Sequence, residues 1–362
     1  MESEAEALTG RKDARTQRRK VKQHLASLRL CVVASLLAIT PSQSPQRPPP
    51  NPPAALAPLI GEYGADTTSG AMILESGGKL YLRRPGAGQQ ELRAAGRDRF
   101  RFGDSTLRFL RSRTGKPEAL LIGTASLPRQ KLGPAEGGVF RITPLRPVAE
   151  LIREARAATP PEESGVFRTS ELTELVRLDS TIKLDIRYAG PDNFLGTQVY
   201  SSARAFLQRP AAEALVRAHR RLRALGYGLL IHDGYRPWYV TKVFWEATPV
   251  SQHEFVADPA QGSRHNRGAA VDLTLYSLAT GRPVEMPGTY DEFSRRSYPD
   301  YPGGTSRQRW LRELLRNAME GEGFKVFQTE WWHFDYQDWR LYPLGNETFE
   351  ELAQGRQGAE TE

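Results

Sequence analysis

Two stretches of sequence decide the fold and the chemistry of this chain, Ser263-Arg-His-Asn-Arg-Gly-Ala-Ala-Val-Asp272 and Glu330-Trp-Trp-His333. A catalytic zinc ion takes three protein ligands from His, Asp or Glu and leaves its fourth position for water, which a nearby carboxylate outside the ligand set can deprotonate. The two stretches supply both kinds of group. We therefore predict one Zn²⁺ per chain with the ligands His265, Asp272 and His333, and with Glu330 as general base.

The segments around the first stretch predict an α+β region. Residues 210–226 begin with Pro, carry apolar residues at helical spacing and end at Gly, which predicts a helix, and residues 227–231 follow as a buried strand. Residues 271–276 alternate as a strand does, and a second helix is expected over 307–322. These elements favour a catalytic domain with a central antiparallel sheet.

The second stretch lies within residues 328–336, whose aromatic content predicts a strand. Residues three apart on a strand point to opposite faces, so Glu330 and His333 cannot both face one metal from a regular strand. We therefore place Glu330 in the turn or bulge before the strand and His333 on the strand itself. At least one of Trp331 and Trp332 is expected to pack in the core.

A third stretch, Ile231-His-Asp-Gly-Tyr-Arg-Pro237, ends a predicted strand with a turn. Arg236 precedes a proline and is therefore held extended, which could aim a permanent cation into a cleft and stabilise the oxyanion formed when hydroxide adds to a carbonyl. A surface salt bridge is the simpler role for Arg236. His232 and Asp233 are expected to be structural, and His219 and His253 are expected to be exposed.

The two ligand candidates of the first stretch also have simpler explanations. His265 could be an exposed loop residue, and Asp272 could pair with Arg267, since a buried carboxylate is costly unless a positive group compensates it. A bound metal ion would be such a group. Ligation by His and Asp also suits divalent ions other than zinc.

The front of the chain predicts a small all-β domain. Short β-prone runs recur between residues 59 and 130, separated by glycine-containing turns. We expect a small antiparallel β domain there that serves as a scaffold or spacer. The expected order is an export signal over 1–44, a Pro-rich linker over 45–58, the β domain over 59–130, a linker with a short helix over 131–170, the catalytic domain over 171–350, and a disordered tail over 351–362.

Charge and hydropathy patterning indicate export. The chain has 362 residues and a formal net charge of +8, but eight of its 50 Lys and Arg residues lie within residues 11–29. The basicity is therefore local, and nucleic-acid binding is not expected. The apolar run over 30–39 is shorter than the ~20 residues of a membrane span and is typical of an export signal, with a disordered basic tail as the alternative.

We thus expect an exported protein, periplasmic or associated with the cell envelope, that meets the membrane only through that signal. Cys31, inside the apolar run, is the single cysteine. This excludes disulfides within the chain and thiolate zinc sites, so any metal must be held by nitrogen and oxygen. The sequence does not determine the oligomeric state.

The motifs, taken in order over roughly residues 178–343, resemble those of the D-alanyl-D-alanine dipeptidase family, the zinc enzymes known from vancomycin resistance. The shared motifs are Tyr188-Ala with Asp192-Asn-Phe-Leu-Gly196, Asp233-Gly-Tyr-Arg-Pro237, Ser-x-His-x-x-Gly-x-Ala-x-Asp from Ser263, Tyr290-Asp291, and Glu330-Trp-Trp-His333. The resemblance implies zinc ligation by His265, Asp272 and His333, proton transfer by Glu330, and transition-state stabilisation by Arg236. It also implies that Ser263, Asp291 and Tyr188 lie in the substrate pocket, with Asp291 near the free amino group of a dipeptide.

The resemblance leaves residues 1–170 unexplained, because simple family members contain little more than the catalytic domain. An exported enzyme would meet peptides released from the cell wall, which favours salvage or wall-peptide turnover over a resistance role. Two alternatives stay open. One is a zinc D,D-carboxypeptidase or endopeptidase that acts on longer peptidoglycan stem peptides, and the other is a non-catalytic protein that binds wall peptides.

Overall fold

The computed structural model describes residues 47–65, 70–134 and 138–353. The expected export signal lies outside these ranges, and so do residues 354–362 of the expected tail. Residues 349–353 are helical, so the first residues of that tail belong to the folded chain. Within the described ranges, no helix has the length and apolar character required to cross a bilayer.

An N-terminal sheet of eight strands runs through residues 61–128, with each strand hydrogen-bonded to the next in sequence order. All neighbouring strands are antiparallel. The strands are β1 (Gly61–Tyr63), β2 (Ala71–Ser76), β3 (Lys79–Arg83), β4 (Gln90–Ala94), β5 (Arg99–Phe102), β6 (Ser105–Arg111), β7 (Pro117–Ile122) and β8 (Ala125–Pro128). This meander agrees with the β-prone runs predicted over 59–130.

Alternating side chains explain why these residues form a sheet. Along β5, Phe100 and Phe102 are buried whereas Arg99 and Arg101 are exposed, the period-two pattern of a half-buried strand. Gly77 and Gly78 join β2 to β3 with φ of 57° and 79°, the backbone that a two-residue hairpin turn requires. The buried side chains of the N-terminal sheet form an apolar cluster separate from that of the rest of the chain.

The remaining residues build the catalytic region around a five-stranded sheet of order β10-β12-β13-β15-β14. Its strands are β10 (Lys183–Leu184), β12 (Tyr227–Asp233), β13 (Ala270–Ser277), β14 (Phe324–Val326) and β15 (His333–Tyr336), and a separate pair is formed by β9 (Leu172–Glu174) and β11 (Phe206–Gln208). The sheet was expected to be antiparallel. It is mixed, because the short β10 pairs with β12 in parallel.

Within the described residues, these strands are accompanied by the helical residues 349–353 and by five further α-helices: α1 (Val148–Ala157), α2 (Leu175–Leu178), α3 (Arg209–Ala224), α4 (Trp238–Ala247) and α5 (Ser306–Glu320). The helices predicted over 210–226 and 307–322 are confirmed as α3 and α5. Helix α1, expected in a linker, buries Leu151 and Ala155 in the same cluster as the catalytic sheet. The segment around it is therefore part of the catalytic core.

Two expectations about local structure are wrong. The strand predicted over 328–336 begins only at His333, because residues 331–332 form a turn and their indoles are both buried. His219, expected to be exposed, is fully buried. Its Nδ1 accepts the backbone N–H of Leu229 at 3.0 Å, and its Nε2 lies 2.9 Å from the hydroxyl of Thr181, so partners within the core replace water.

Candidate functional site

Two adjacent strands, and the turn that precedes one of them, bring the predicted metal ligands together. Asp272 on β13 lies directly opposite His333 on β15, and its other neighbour across the sheet is Asp233 at the end of β12. His265 reaches the same point from the turn before β13, where Gly268 has a φ of 64°. A side chain at residue 268 would also collide with Leu172, so the turn requires glycine.

The ligand atoms form a nearly equilateral triangle. Nε2 of His265 lies 3.1 Å from Nδ1 of His333, and Oδ1 of Asp272 lies 3.3 Å from the former and 3.1 Å from the latter. Three ligand atoms around a tetrahedral zinc ion at ~2.0–2.2 Å lie about 3.3 Å from one another. All three residues are buried, so their spacing fits a small divalent ion.

Hydrogen bonds on the far side of each imidazole leave the facing nitrogens without hydrogens. Nδ1 of His265 lies 2.7 Å from the carbonyl oxygen of Gly234, and Nε2 of His333 lies 2.9 Å from Oδ1 of Asp335. Both partners only accept, so these far nitrogens carry the hydrogens in the neutral rings. Two ring lone pairs then converge on Oδ1 of Asp272, itself buried without a hydrogen-bond partner, and a cation satisfies all three.

Asp272 remains charged despite its burial. Burial opposes the carboxylate, but the positive charge that His265 and His333 carry when they are protonated holds the pKa of Asp272 well below its usual range. Its second oxygen, Oδ2, accepts the hydroxyl of Tyr290 at 3.1 Å and lies 3.7 Å from the guanidinium of Arg236. One oxygen is thereby fixed by the protein and the other is left for a metal ion.

Glu330 lies in the turn before β15, as predicted, and its Oε2 is 3.5 Å from Nδ1 of His333. Burial and the nearby Asp272 raise the pKa of Glu330 to about 7, against the opposing charges of His333 and Arg236. A carboxyl group with such a pKa can both accept and return a proton near neutral pH. The position and the pKa of Glu330 therefore suit a general base and acid.

Arg236 is almost completely buried and is held by Asp233. Its Nε and Nη2 donate to Oδ2 of Asp233 at 2.9 and 2.8 Å, and Oδ1 of Asp233 accepts the hydroxyl of Tyr200 at 2.8 Å. The guanidinium also stacks over Phe244, 4.8 Å from the ring centroid. Asp233, expected to be structural, thus fixes the orientation of the cation beside the metal ligands.

The three predicted substrate residues lie around this centre. Oδ2 of Asp291 accepts the hydroxyl of Tyr188 at 2.8 Å, and the ring of Tyr188 lies beneath Arg236, 5.6 Å from its guanidinium carbon. Burial, followed by repulsion from Asp272, raises the pKa of Asp291 well above its usual range. Ser263 instead steadies the ligand turn, because its Oγ accepts the backbone N–H of His265 at 3.2 Å. Their contacts with a substrate stay predictions.

The sequence did not lead us to predict that Asp335 would bind His333 or that the hydroxyl of Tyr290 would bind Asp272. Asp335 lies two residues beyond His333 on one strand and therefore on the same face, a signal that the sequence did carry. The contact of Tyr290 with Asp272 depends on a long loop, and no local pattern indicates it. Both residues orient the side chains of predicted ligands, and partners of this kind typically strengthen metal binding about 10–100-fold.

Comparison with known proteins agrees with this geometry. The model of the peptidase family M15, described as D-Ala-D-Ala dipeptidase, matches residues 168–352. The D-alanyl-D-alanine dipeptidase of Escherichia coli strain K12 is 35% identical over 176 residues, covering 49% of this chain and 90% of that protein.

Two further relatives carry the same name. The Enterococcus faecalis protein is 35% identical over 194 residues, covering 49% of this chain and 93% of its own, and the Streptomyces coelicolor protein is 34% identical over 188 residues, covering 47% and 93%. The N-terminal sheet lies before the matched residues. The chain belongs to the D-alanyl-D-alanine dipeptidase family of metallopeptidases.

Proposed function

We propose that this protein hydrolyses D-alanyl-D-alanine, or similar short dipeptides that contain D-amino acids, with one zinc ion held by His265, Asp272 and His333. The observation that carries the proposal is the convergence of one nitrogen from each imidazole and a buried carboxylate oxygen without a hydrogen-bond partner, at 3.1–3.3 Å from one another. Membership of a family whose members are generally zinc-dependent supports the choice of metal.

Each neighbouring group has a separate role. A zinc ion held by His265, Asp272 and His333 would supply Lewis acidity and would lower the pKa of water at the site to about 7. Glu330 accepts the proton of the attacking water and returns it to the leaving amine nitrogen. Arg236, held by Asp233, places a fixed positive charge where negative charge develops on the carbonyl oxygen.

A free dipeptide suits the site better than an acylated one. It presents a charged amine close to its scissile bond, and Asp291 offers a buried carboxyl group that accepts one hydrogen bond from Tyr188. An ammonium group beside Asp291 would restore its carboxylate and form a charge-assisted hydrogen bond. An N-acylated substrate carries no such charge, so Asp291 would remain without a cationic partner.

The test combines zinc analysis with hydrolysis of D-Ala-D-Ala by the parent and by Glu330→Gln. We expect equal zinc content and a loss of turnover of about 10²-fold or more, the usual contribution of a general base. Glu213→Gln, the same change at an exposed position of α3, is the matched control and should behave as the parent. Parental turnover by Glu330→Gln would refute the assigned role.

A second assay compares the free dipeptide with its N-acetyl derivative. Preference for the free dipeptide supports a dipeptidase. Preference for the acetylated form would show instead a carboxypeptidase or endopeptidase that acts on longer stem peptides. Binding of both without hydrolysis would show a protein that binds wall peptides without cleaving them.

We also propose that the protein is exported through residues 1–44 and acts on peptides released from the cell wall. The support is the basic segment followed by a short apolar run. Fractionation of cells that express the full chain tests this proposal. Recovery of the protein in the cytoplasmic fraction, with residues 1–44 retained, would contradict it.

A further inference from the structure

A loop over residues 286–304, which we call the substrate loop, connects the metal centre to the N-terminal sheet. On its inner side, Tyr290 contacts Asp272, and Asp291 contacts Tyr188. Further along, the carbonyl oxygen of Ser297 accepts the backbone N–H of Trp331 at 2.7 Å, next to Glu330 in the chain. The substrate loop thus contacts Asp272, Tyr188 and the residue that follows Glu330.

The backbone of the substrate loop needs external support. Asp291 has a φ of 56°, in the left-handed region that non-glycine residues seldom adopt. Such a conformation persists only when the surroundings determine it. Within the loop, the fully buried Glu292 binds Arg296 through two hydrogen bonds, which supply part of that support.

The N-terminal sheet supplies the rest through two buried glutamates. Glu62 of β1, 4% exposed, forms an ion pair with Arg295 of the substrate loop. Glu75 of β2, fully buried, accepts the backbone N–H of Ser306 at 2.7 Å and its hydroxyl at 2.9 Å, just beyond the end of the loop. The backbone carbonyl of Glu75 also accepts a hydrogen bond from Arg309 at 2.6 Å.

The buried apolar clusters of the N-terminal sheet and of the catalytic region do not merge where the sheet is attached. Cavities of about 490 Å³ and 1470 Å³ border the interface, and Glu62 and Tyr301 line both. With apolar packing interrupted there, removing a charged contact should loosen the loop more than a change elsewhere in the sheet.

We propose that Glu62 and Glu75 are positioning residues, through which the N-terminal sheet holds the substrate loop so that Asp291 faces the substrate. The proposal rests on the proposed function for the role of Asp291. In this proposal the N-terminal sheet restrains the substrate loop in a way that the catalytic domain alone could not, because both glutamates precede the residues matched by the family model.

The test uses the full-length, zinc-loaded protein with Glu62→Gln, Glu75→Gln and, as matched control, Glu118→Gln, which makes the same change at an exposed position of the same sheet. We expect Glu62→Gln and Glu75→Gln to raise KM for D-Ala-D-Ala about tenfold while kcat changes less than about threefold. Zinc content should stay parental in all three variants. A lower melting temperature with parental KM would show a purely structural role and overturn the proposal.

A double-mutant cycle separates the ion pair from general loss of charge. Arg295 is partly exposed and can be solvated when its partner is removed. Arg295→Gln should raise KM as Glu62→Gln does, and the double variant should show no further rise. Independent, additive effects of the two changes would contradict coupling through this pair.

Hydrogen–deuterium exchange tests whether Glu62 restrains the substrate loop, and this test applies even if the parent does not cleave the dipeptide. Amides of residues 286–304 should exchange faster in Glu62→Gln than in Glu118→Gln. Equal exchange in the two variants would overturn the proposal. An inactive parent with faster loop exchange in Glu62→Gln would refute the proposed function alone.

Discussion

Replacing Asp335 by asparagine tests whether the imidazole of His333 is tuned for metal binding. Asp335 accepts the hydrogen of His333 Nε2 at 2.9 Å and is itself buried beside Arg264, whose Nε lies 3.6 Å from its second oxygen. Asparagine has the same shape and keeps an acceptor oxygen, so packing should be preserved. The substitution removes the negative charge that makes Nδ1 of His333 a better ligand.

The expected loss is in metal affinity. Partners of this kind typically contribute 10–100-fold to metal binding, so the zinc dissociation constant of Asp335→Asn should rise by roughly that factor, equivalent to ~1.4–2.7 kcal/mol. Competition with a chelator of known affinity at fixed pH measures it. At saturating zinc, turnover should recover most of its parental value, because Glu330 and Arg236 are unchanged.

Asp338→Asn is the control for this experiment. Asp338 lies three residues further along and pairs with Arg168, away from the imidazoles. Its replacement should leave zinc affinity within about twofold of the parent. If Asp335→Asn also binds zinc with parental affinity, the role assigned to the negative charge of Asp335 is wrong.

Two further predictions concern stability. Burial lowers the pKa of His219 in the folded state, which therefore resists protonation of this ring. The contribution of His219 to stability is fully present above the unfolded pKa of about 6.5 and decreases as the pH falls below that value. In urea unfolding at pH 7.5 and 5.5, His219→Asn should lose less stability between the two pH values than the parent, and an equal loss would contradict the argument. Gly228→Ala should destabilise the protein by ~1–3 kcal/mol, because its Cβ would lie 2.3 Å from the ring of Tyr276. Gly88→Ala, with open space around it, should be nearly neutral in the same melting experiment.

The sequence was sufficient to predict the three candidate ligands that the structure brings together and the helices around them. Histidine is scarce in this chain, and a carboxylate in an apolar strand needs a compensating charge, so His265, Asp272 and His333 could be selected without a structure. Helix α3 was predictable for a similar reason, since a proline at its start and a glycine just beyond its end mark both boundaries. These signals are local, and each can be read within a few residues.

Contacts between distant segments could not be predicted in this way. Glu75 caps α5 across 231 residues of sequence, and Glu62 pairs with Arg295 across 233. In the sequence both glutamates look like ordinary polar residues of a small β domain. Their partners depend on how the N-terminal sheet packs against the catalytic region, which no period or spacing in either segment specifies.

The register of β12 shows why even local patterns fail at the site itself. Ile231 pairs with Leu273, but Asp233 pairs with Asp272, so His232 is an extra residue on β12. In a regular ladder His232 would lie opposite Asp272. Asp233 would then lie one position further along the strand, with its side chain on the other face of the sheet. The bulge instead puts two carboxylates side by side, and that pair of negative charges holds the buried Arg236 next to the metal ligands. This one-residue bulge cannot be detected from the periodicity of the sequence, and it determines where the guanidinium group of Arg236 lies.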